Sequence, residues 1–128
     1  MKHADIWIII LLIALLISLA VFSSAYIVSS AAGVAADFPA LAAAIEREDW
    51  RQARALFAGS QRRWLRVRKI WPLLINHDDM RDVEISFVDL GVLLEQENRE
   101  RAAREMANLR YYLEHVPDNE SFTWQNIL

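Results

Sequence analysis

The feature that most constrains this chain is an uncharged run of 31 residues near its N-terminus, from Ile6 to Ala36. About 20 apolar residues span a bilayer as an α-helix, and a charge near the centre of such a helix is costly. Aliphatic residues dominate the first part of the run, and Trp7 and Tyr26 stand where aromatic rings favour the two membrane interfaces. The run therefore predicts one transmembrane helix, from Ile6 to about Ile27.

A cleaved signal peptide is the alternative, because Lys2 supplies a positive start and residues 34–36 (Val-Ala-Ala) resemble a cleavage site. The apolar run is longer than the roughly 7–15 residues of a signal-peptide core, which favours an uncleaved anchor in the cell membrane. No base follows the run before Arg47, so the positive-inside rule favours a cytoplasmic N-terminus and an extracytoplasmic C-terminal domain. The negative charge of Asp5, on the same side of the single span as Lys2, opposes this orientation.

A stripe of small residues follows the apolar part of the run at four-residue spacing: Ala25, Ser29 and Gly33. Small side chains allow two helix backbones to approach closely in a membrane. The stripe therefore predicts a packing site for a helix of another membrane protein, or of a second copy of this chain. The alternative is a low-complexity tether that contacts nothing.

An internal repeat gives the best indication of the fold outside the anchor. Residues 45–53 and 94–102 resemble each other at a constant offset of 49 positions. In each copy a helix ends, the chain turns at Glu-Asp or Glu-Asn, and Asp49 or Asn98 is well suited to cap the next helix. The pattern resembles tetratricopeptide-like hairpin turns, and two copies predict a small antiparallel bundle rather than a solenoid.

The fold class expected is all-α, with a membrane anchor and its small-residue extension at 1–36 and a helical bundle at 37–128. Two prolines, Pro72 and Pro117, are expected to stop helices. The tail at 121–128 is expected to pack back on the bundle through Phe122, Trp124 and Ile127. The bundle helices are expected at 38–47, 50–71, 79–96 and 99–115, with a loop at 72–78.

Charge is divided between the second and third bundle helices. Residues 51–69 hold seven bases and no acid, whereas residues 70–98 hold seven acids and one base. This division predicts that the two helices are antiparallel neighbours. Glu84 lies beside the apolar face of its helix and needs a partner, either an arginine of the basic helix or His115.

The basic helix is one candidate binding site. Trp64 and Trp71 are seven residues apart and so share one face of the helix, and bases combined with aromatic residues suit anionic lipid head groups or a cell-wall polymer. The alternative is that Trp50, Trp64 and Trp71 are core and the arginines face the acidic helix. The net charge of −3 gives no indication of a nucleic-acid partner. The candidate ligand-binding residues are Arg62, Arg63, Arg66 and Lys69.

A second candidate is a polar cluster of His77, Glu84 and His115, which in principle suits a metal or acid–base chemistry. The spacing lacks the paired histidines of common metal sites, and Asp78 or Asp79 is better interpreted as a helix cap. The sequence has no cysteine, so thiol catalysis and cysteine-ligated zinc are excluded. No metal and no cofactor are expected.

The order of motifs resembles a bacterial family known as domain of unknown function 4363, over nearly the whole chain. The matching segments are the apolar span, the Glu48-Asp49-Trp50 turn, Trp64 with Trp71, 77–79 running into 83–86, 115–117 and the ending 126–128. The resemblance implies a membrane-anchored helical domain with no assigned activity, often encoded beside small multi-span membrane proteins. It therefore favours an accessory subunit.

Three hypotheses for function follow, from different classes. The first is a membrane-anchored, non-enzymatic accessory or scaffold protein that binds another membrane protein through the small-residue stripe. The second is a binding module for an anionic ligand on the basic helix. The third is a metal-dependent enzyme built around the polar cluster.

Overall fold

The computed structural model describes the backbone of residues 2–127 and the side chains of residues 2–116. Over these residues the chain is almost entirely helical and contains no strand, which confirms the all-α prediction and the helical bundle. Short 3₁₀ turns occur at Ala35–Asp37 and Trp71–Leu73. The helices are α1 (Lys2–Val34), α2 (Phe38–Glu46), α3 (Trp50–Val67), α4 (His77–Glu95) and α5 (Arg99–Ile127).

Helix α1 is exposed around its apolar first part and becomes part of the bundle at its end. Large aliphatic side chains from Ile6 to Phe22 are exposed, whereas Ile27, Ala31 and Val34 are buried. This buried face belongs to the part of the molecule where α1 contacts α3 and α5. The length and composition of α1 are compatible with a single-pass membrane anchor and also with a signal sequence.

A single 3₁₀ turn separates α1 from α2, so the chain stays helical from the apolar run into the bundle. Pro39 lies in the first turn of α2, where a missing N–H costs no intrahelical hydrogen bond. The prediction of a tether that contacts nothing is therefore wrong for one face of this segment. The division at 36/37 stays a prediction, although Val34 already belongs to the core.

The core forms where the apolar faces of all five helices meet. Helix α4 packs on α5 and α3, and α2 packs on α3 and α5. The apolar faces predicted for the third and fourth bundle helices are confirmed. Their buried members are Met80, Val83, Phe87, Leu90 and Leu94 in α4, and Met106, Leu109 and Leu113 in α5.

The repeat predicted from sequence is present as two turns with the same hydrogen bonds. Glu48 and Glu97 both have a positive φ, of 57° and 54°. The next amide reaches back five residues in each turn, from Asp49 to the Ala44 carbonyl and from Asn98 to the Leu93 carbonyl. This is the Schellman arrangement, in which a left-handed residue lets the last carbonyls of a helix find donors.

Both turns also start the next helix as predicted. The Asp49 carboxylate accepts from the Gln52 amide at 3.3 Å, and the Asn98 side chain accepts from the Arg101 amide at 3.1 Å. The two turns lie at one end of the bundle, because Arg54 beside the first contacts Glu97 in the second. We call these turns, residues 46–50 and 95–99, the distal end.

The opposite end differs from the expectation. Helix α3 ends at Val67, four residues before the predicted Trp71, and Trp71 instead begins a 3₁₀ turn. Helix α4 begins at His77, where the Asn76 side chain accepts from the Asp78 amide at 3.1 Å. The prediction that Asp78 or Asp79 is the cap is therefore wrong, because the side chain of Asn76, two positions before Asp78, already caps the first turn.

Helix α5 continues through Pro117 to Ile127, so the predicted stop at this proline is wrong. Proline removes only its own N–H and disturbs one preceding carbonyl, at a cost of about 3 kcal/mol, and flanking turns can stay helical. The predicted packing of Phe122, Trp124 and Ile127 lies outside the described side chains.

Candidate functional site

The small-residue stripe lies on the outside of the molecule. Ala25, Ser29 and Gly33 are exposed on α1, while Ile27 and Val34 of the same helix face the core. A Cβ atom added at Gly33 would meet no other atom within 4 Å. The surface is therefore flat and uncovered, which suits the close approach of a second helix.

An open groove between α2 and α5 lies farther along the chain from this stripe. Small residues line part of it, namely Pro39, Ala42, Ala103 and Ala107, and the larger Phe38, Met106 and Tyr111 line the rest. An ion pair from the α5 side borders it, in which Arg110 Nε lies 2.9 Å from Glu114 Oε1. Its polar lining residues, Arg110, Tyr111 and Glu114, all lie on α5.

The four predicted ligand-binding bases do not act as a unit. Arg63 reaches across to the α1–α2 junction, where its Nη2 lies 2.7 Å from Asp37 Oδ2. Arg62, Arg66 and Lys69 are exposed, and within the described part of the chain no ion pair involves them. Three bases thus remain available for a ligand, and the fourth stabilises the fold.

Two of the three tryptophans between residues 50 and 71 belong to the core, as the alternative interpretation held, whereas Trp50 at the start of α3 is only partly buried. Trp64 and Trp71 are only 2% and 0% exposed. The Trp64 ring stacks on Phe87 at 5.9 Å and meets Trp71 edge-on at 5.2 Å. Neither indole can therefore serve as a stacking platform for a ligand.

The predicted pairing of the basic and acidic helices is confirmed by two ion pairs. Arg68 Nε lies 2.6 Å from Glu84 Oε1, and Arg54 Nη1 lies 3.4 Å from Glu97 Oε1. Glu84 thus has an arginine partner, as expected, although its Oε1 atom accepts no well-directed hydrogen bond. Arg68 is not among the predicted candidate residues. Its position in the basic segment, opposite the acidic helix, is the sequence feature that indicates this ion pair.

The predicted polar cluster has no common centre. His77 is an exposed residue at the start of α4, and Glu84 is engaged with Arg68. His115 stacks on Tyr111 at 4.0 Å, and its Nδ1 lies 2.8 Å from the Tyr111 carbonyl oxygen. In the described part of the chain, no three His, Asp or Glu side chains are grouped to hold a metal.

A hydrogen bond that the sequence did not predict joins α1 to the segment after α3. Trp71 Nε1 donates to Ser30 Oγ at 2.9 Å, and Ser30 Oγ in turn donates to the Tyr26 carbonyl at 2.6 Å. The bond fixes residues 68–76 against the end of α1. We call this segment, together with Ser30, the proximal end of the bundle.

These features define a small helical-bundle protein built directly onto one long apolar N-terminal helix. The chain belongs to the family described as Domain of unknown function (DUF4363), whose sequence profile matches residues 21–127. The match begins inside α1 and extends through α5, which confirms the resemblance found in the sequence. No curated protein and no solved structure matches the chain.

Proposed function

We propose that this protein is a membrane-anchored, non-enzymatic accessory subunit, with α1 as its single span and a helix of another membrane protein packed on Ala25, Ser29 and Gly33. The observation that carries the proposal is the contrast between the two faces of α1. One face is buried in the bundle, and the opposite face is small, exposed and uncovered.

The continuity of α1 with the bundle supports a role that depends on orientation. A domain joined to its span by a flexible linker samples many positions, whereas this one is held by buried contacts at Ile27, Ala31 and Val34. A partner on the outer face of α1 would therefore meet the bundle at a fixed place. Two packed surfaces, one on the span and one on the bundle, then act together.

The buried residues at the end of α1 also support an uncleaved anchor over a signal peptide. Cleavage after Ala36 would remove Ile27, Ala31 and Val34 from the core and Ser30 from its bond with Trp71. Loss of buried aliphatic side chains costs about 2–5 kcal/mol each. The intact mass of the protein extracted from membranes tests this, and a mature chain that starts near Asp37 would contradict it.

The partner contact is tested with Gly33→Leu and Ser29→Leu in the full-length protein. Both changes place bulk on the exposed face and leave the core untouched, so the bundle should stay folded. We expect each variant to lose a membrane partner that co-purifies with the wild type after cross-linking. Ser24→Leu, an exposed position on another side of α1, is the matched control and should retain it.

The outcomes of this experiment separate the alternatives. If Gly33→Leu and the control retain the same partner equally, the stripe is not the contact surface. If only the protein itself is recovered in the cross-linked complex, the stripe joins two copies of this chain and the accessory role is wrong. Circular dichroism of each variant establishes that loss of the partner does not follow from loss of the fold.

We propose further that the N-terminus is cytoplasmic and the bundle extracytoplasmic, which the position of Lys2 before the span supports. Because the chain has no cysteine, a single Glu100→Cys change provides one reactive thiol at the exposed distal end. A membrane-impermeant maleimide should label it in right-side-out vesicles without detergent. Labelling only after detergent is added would show the opposite orientation, with the bundle in the cytoplasm.

A further inference from the structure

The proximal end contains an apolar tip with no cover. Leu73 is 84% exposed, more than any large side chain of the apolar run, where Phe22 reaches 72%. Ile70 and Leu65 are each 44% exposed nearby in sequence. Trp71 lies between Ile70 and Leu73 and is fully buried. Its burial fixes the backbone so that Ile70 and Leu73 remain outside. Such exposure is costly in water unless another apolar phase covers it.

The level of this tip along α1 follows from one hydrogen bond. Trp71 is bound to Ser30, which lies four residues beyond Tyr26 at the end of the predicted span. Four residues of α-helix rise about 6 Å. The polar layer of a bilayer is about 5–7 Å thick on each side. Trp71 therefore lies within the head-group layer when α1 spans the membrane.

The course of α3 indicates that the tip faces the bilayer rather than the bulk solvent. Helix α3 folds back on α2, and Arg63 contacts Asp37 before Trp71 contacts Ser30. After α3, the chain therefore runs alongside α1 in the direction of the apolar part of that helix. Leu73 follows Trp71 by two residues in the same 3₁₀ turn, before α4 begins at His77.

The bases around the tip have the charge that lipid phosphates require. Arg66 and Lys69 are exposed, and in the described chain neither takes part in an ion pair. Basic residues beside a membrane are attracted by anionic lipids over about one Debye length. Asp78 in the first turn of α4 has the opposite charge, so the contact is confined to the α3 side of the proximal end.

We propose that the proximal end rests on the bilayer that holds α1, with Ile70 and Leu73 in its interfacial layer and Arg66 and Lys69 on lipid phosphates. This second contact rests on the proposed single span of α1. It fixes the tilt of the bundle over the membrane and so the direction in which the bundle meets a partner.

Depth-dependent quenching tests the apolar contact. The chain has no cysteine, so Leu73→Cys can be labelled alone with an environment-sensitive fluorophore, and the full-length protein reconstituted in vesicles containing phosphatidylglycerol. Spin-labelled lipids with the quencher near the head group should quench this probe several-fold more than a probe at Glu100→Cys on the distal end. A probe at Leu16→Cys, near the middle of the apolar run, is measured with lipids that carry the spin label near the end of the acyl chain, and its quenching reports whether α1 is inserted.

Each outcome has one meaning. Quenching at position 73 well above that at position 100 supports the proposal. If position 73 is as unquenched as position 100 while position 16 is quenched, the span is correct and the bilayer contact is wrong. If position 16 is also unquenched, α1 does not span the membrane and the proposed function fails with it.

Charge reversal tests the phosphate contact. We expect Lys69→Glu and Arg66→Glu to reduce quenching at position 73 in phosphatidylglycerol vesicles and to have a much smaller effect in phosphatidylcholine vesicles, whose head groups carry no net charge. Arg51→Glu, near the distal start of α3, is the matched control and should change quenching in neither kind of vesicle. Equal quenching of all three variants in both vesicles would overturn the role of the two bases.

Discussion

The two ends of the bundle are built on different principles. At the distal end, two turns 49 residues apart repeat the same left-handed glutamate, the same backbone hydrogen bonds and the same type of cap. At the proximal end nothing repeats, and the chain is held by Trp71 on Trp64 and Ser30. The distal end is thus determined within a few residues, and the proximal end by contacts between distant parts of the chain.

This difference predicts where the fold is most sensitive. Local turns lose little when one side chain changes, because most of their bonds are made by the backbone. A buried indole that contacts both α1 and α3 has no such substitute. The proximal end is also where α1 joins the bundle, so damage there should loosen the whole domain from its span.

The largest effect is expected for Trp71→Ala, which should lower the free energy of unfolding by about 3–5 kcal/mol, as usual for a large buried aromatic. Trp50→Ala, the same change at the distal end, should cost less because Trp50 is only partly buried. Denaturation of the full-length protein in detergent, followed by circular dichroism, measures both. An equal loss in the two variants would remove the proposed difference between the ends.

The sequence predicts the distal end of the bundle better than the proximal end, for the same physical reason. The distal turns were predicted because Asp49 and Asn98 signal their caps locally, and the apolar faces of α4 and α5 were predicted from their period. Pro72 predicts that α3 ends at Trp71, but the helix ends at Val67. The sequence does not reveal this because the burial of Trp71 depends on its contact with α1. The exposed bases were predicted as a group, but the diversion of Arg63 to Asp37 needs the tertiary fold.

The cap of α4 gives a second, smaller effect. Asn76→Ala should cost about 1 kcal/mol of stability, because the first turn of α4 loses the acceptor for the Asp78 amide. Asp78→Ala removes a residue that the sequence favoured as cap but that only pairs with Arg81 at 3.7 Å, and it should cost less. Thermal unfolding of both variants compares the two losses of stability. A larger loss for Asp78→Ala than for Asn76→Ala would show that Asp78 is the cap.

The distal turns offer a stabilising change. An L-residue in the left-handed region is strained by roughly 1–2 kcal/mol, and glycine relieves most of this at some entropic cost. Glu48→Gly should therefore stabilise the bundle by up to about 1 kcal/mol. Glu97→Gly should gain less, because it also removes the ion pair with Arg54.

The alanine variants at the same two positions are the control for this change. Glu48→Ala keeps the Cβ atom that causes the strain and removes only the charge, so its melting temperature should stay close to that of the wild type. If Glu48→Ala and Glu48→Gly raise the melting temperature equally, the gain comes from lost charge and not from the backbone.

The smallest effects should come from the two ion pairs that join α3 to α4, one at each end. Arg54 with Glu97 and Arg68 with Glu84 are both part-exposed, so double-mutant cycles should give coupling energies below about 1 kcal/mol. The proximal pair is shorter, at 2.6 Å against 3.4 Å. Its carboxylate is the less exposed of the two, at 34% against 53%, whereas its arginine is the more exposed, at 45% against 37%. We therefore expect it to couple more strongly and to lose less of its coupling as salt rises, since a shielded pair is screened less. If the distal pair is the stronger one, the packing around Trp71 does not shield its neighbours, and the two ends are alike in their electrostatics.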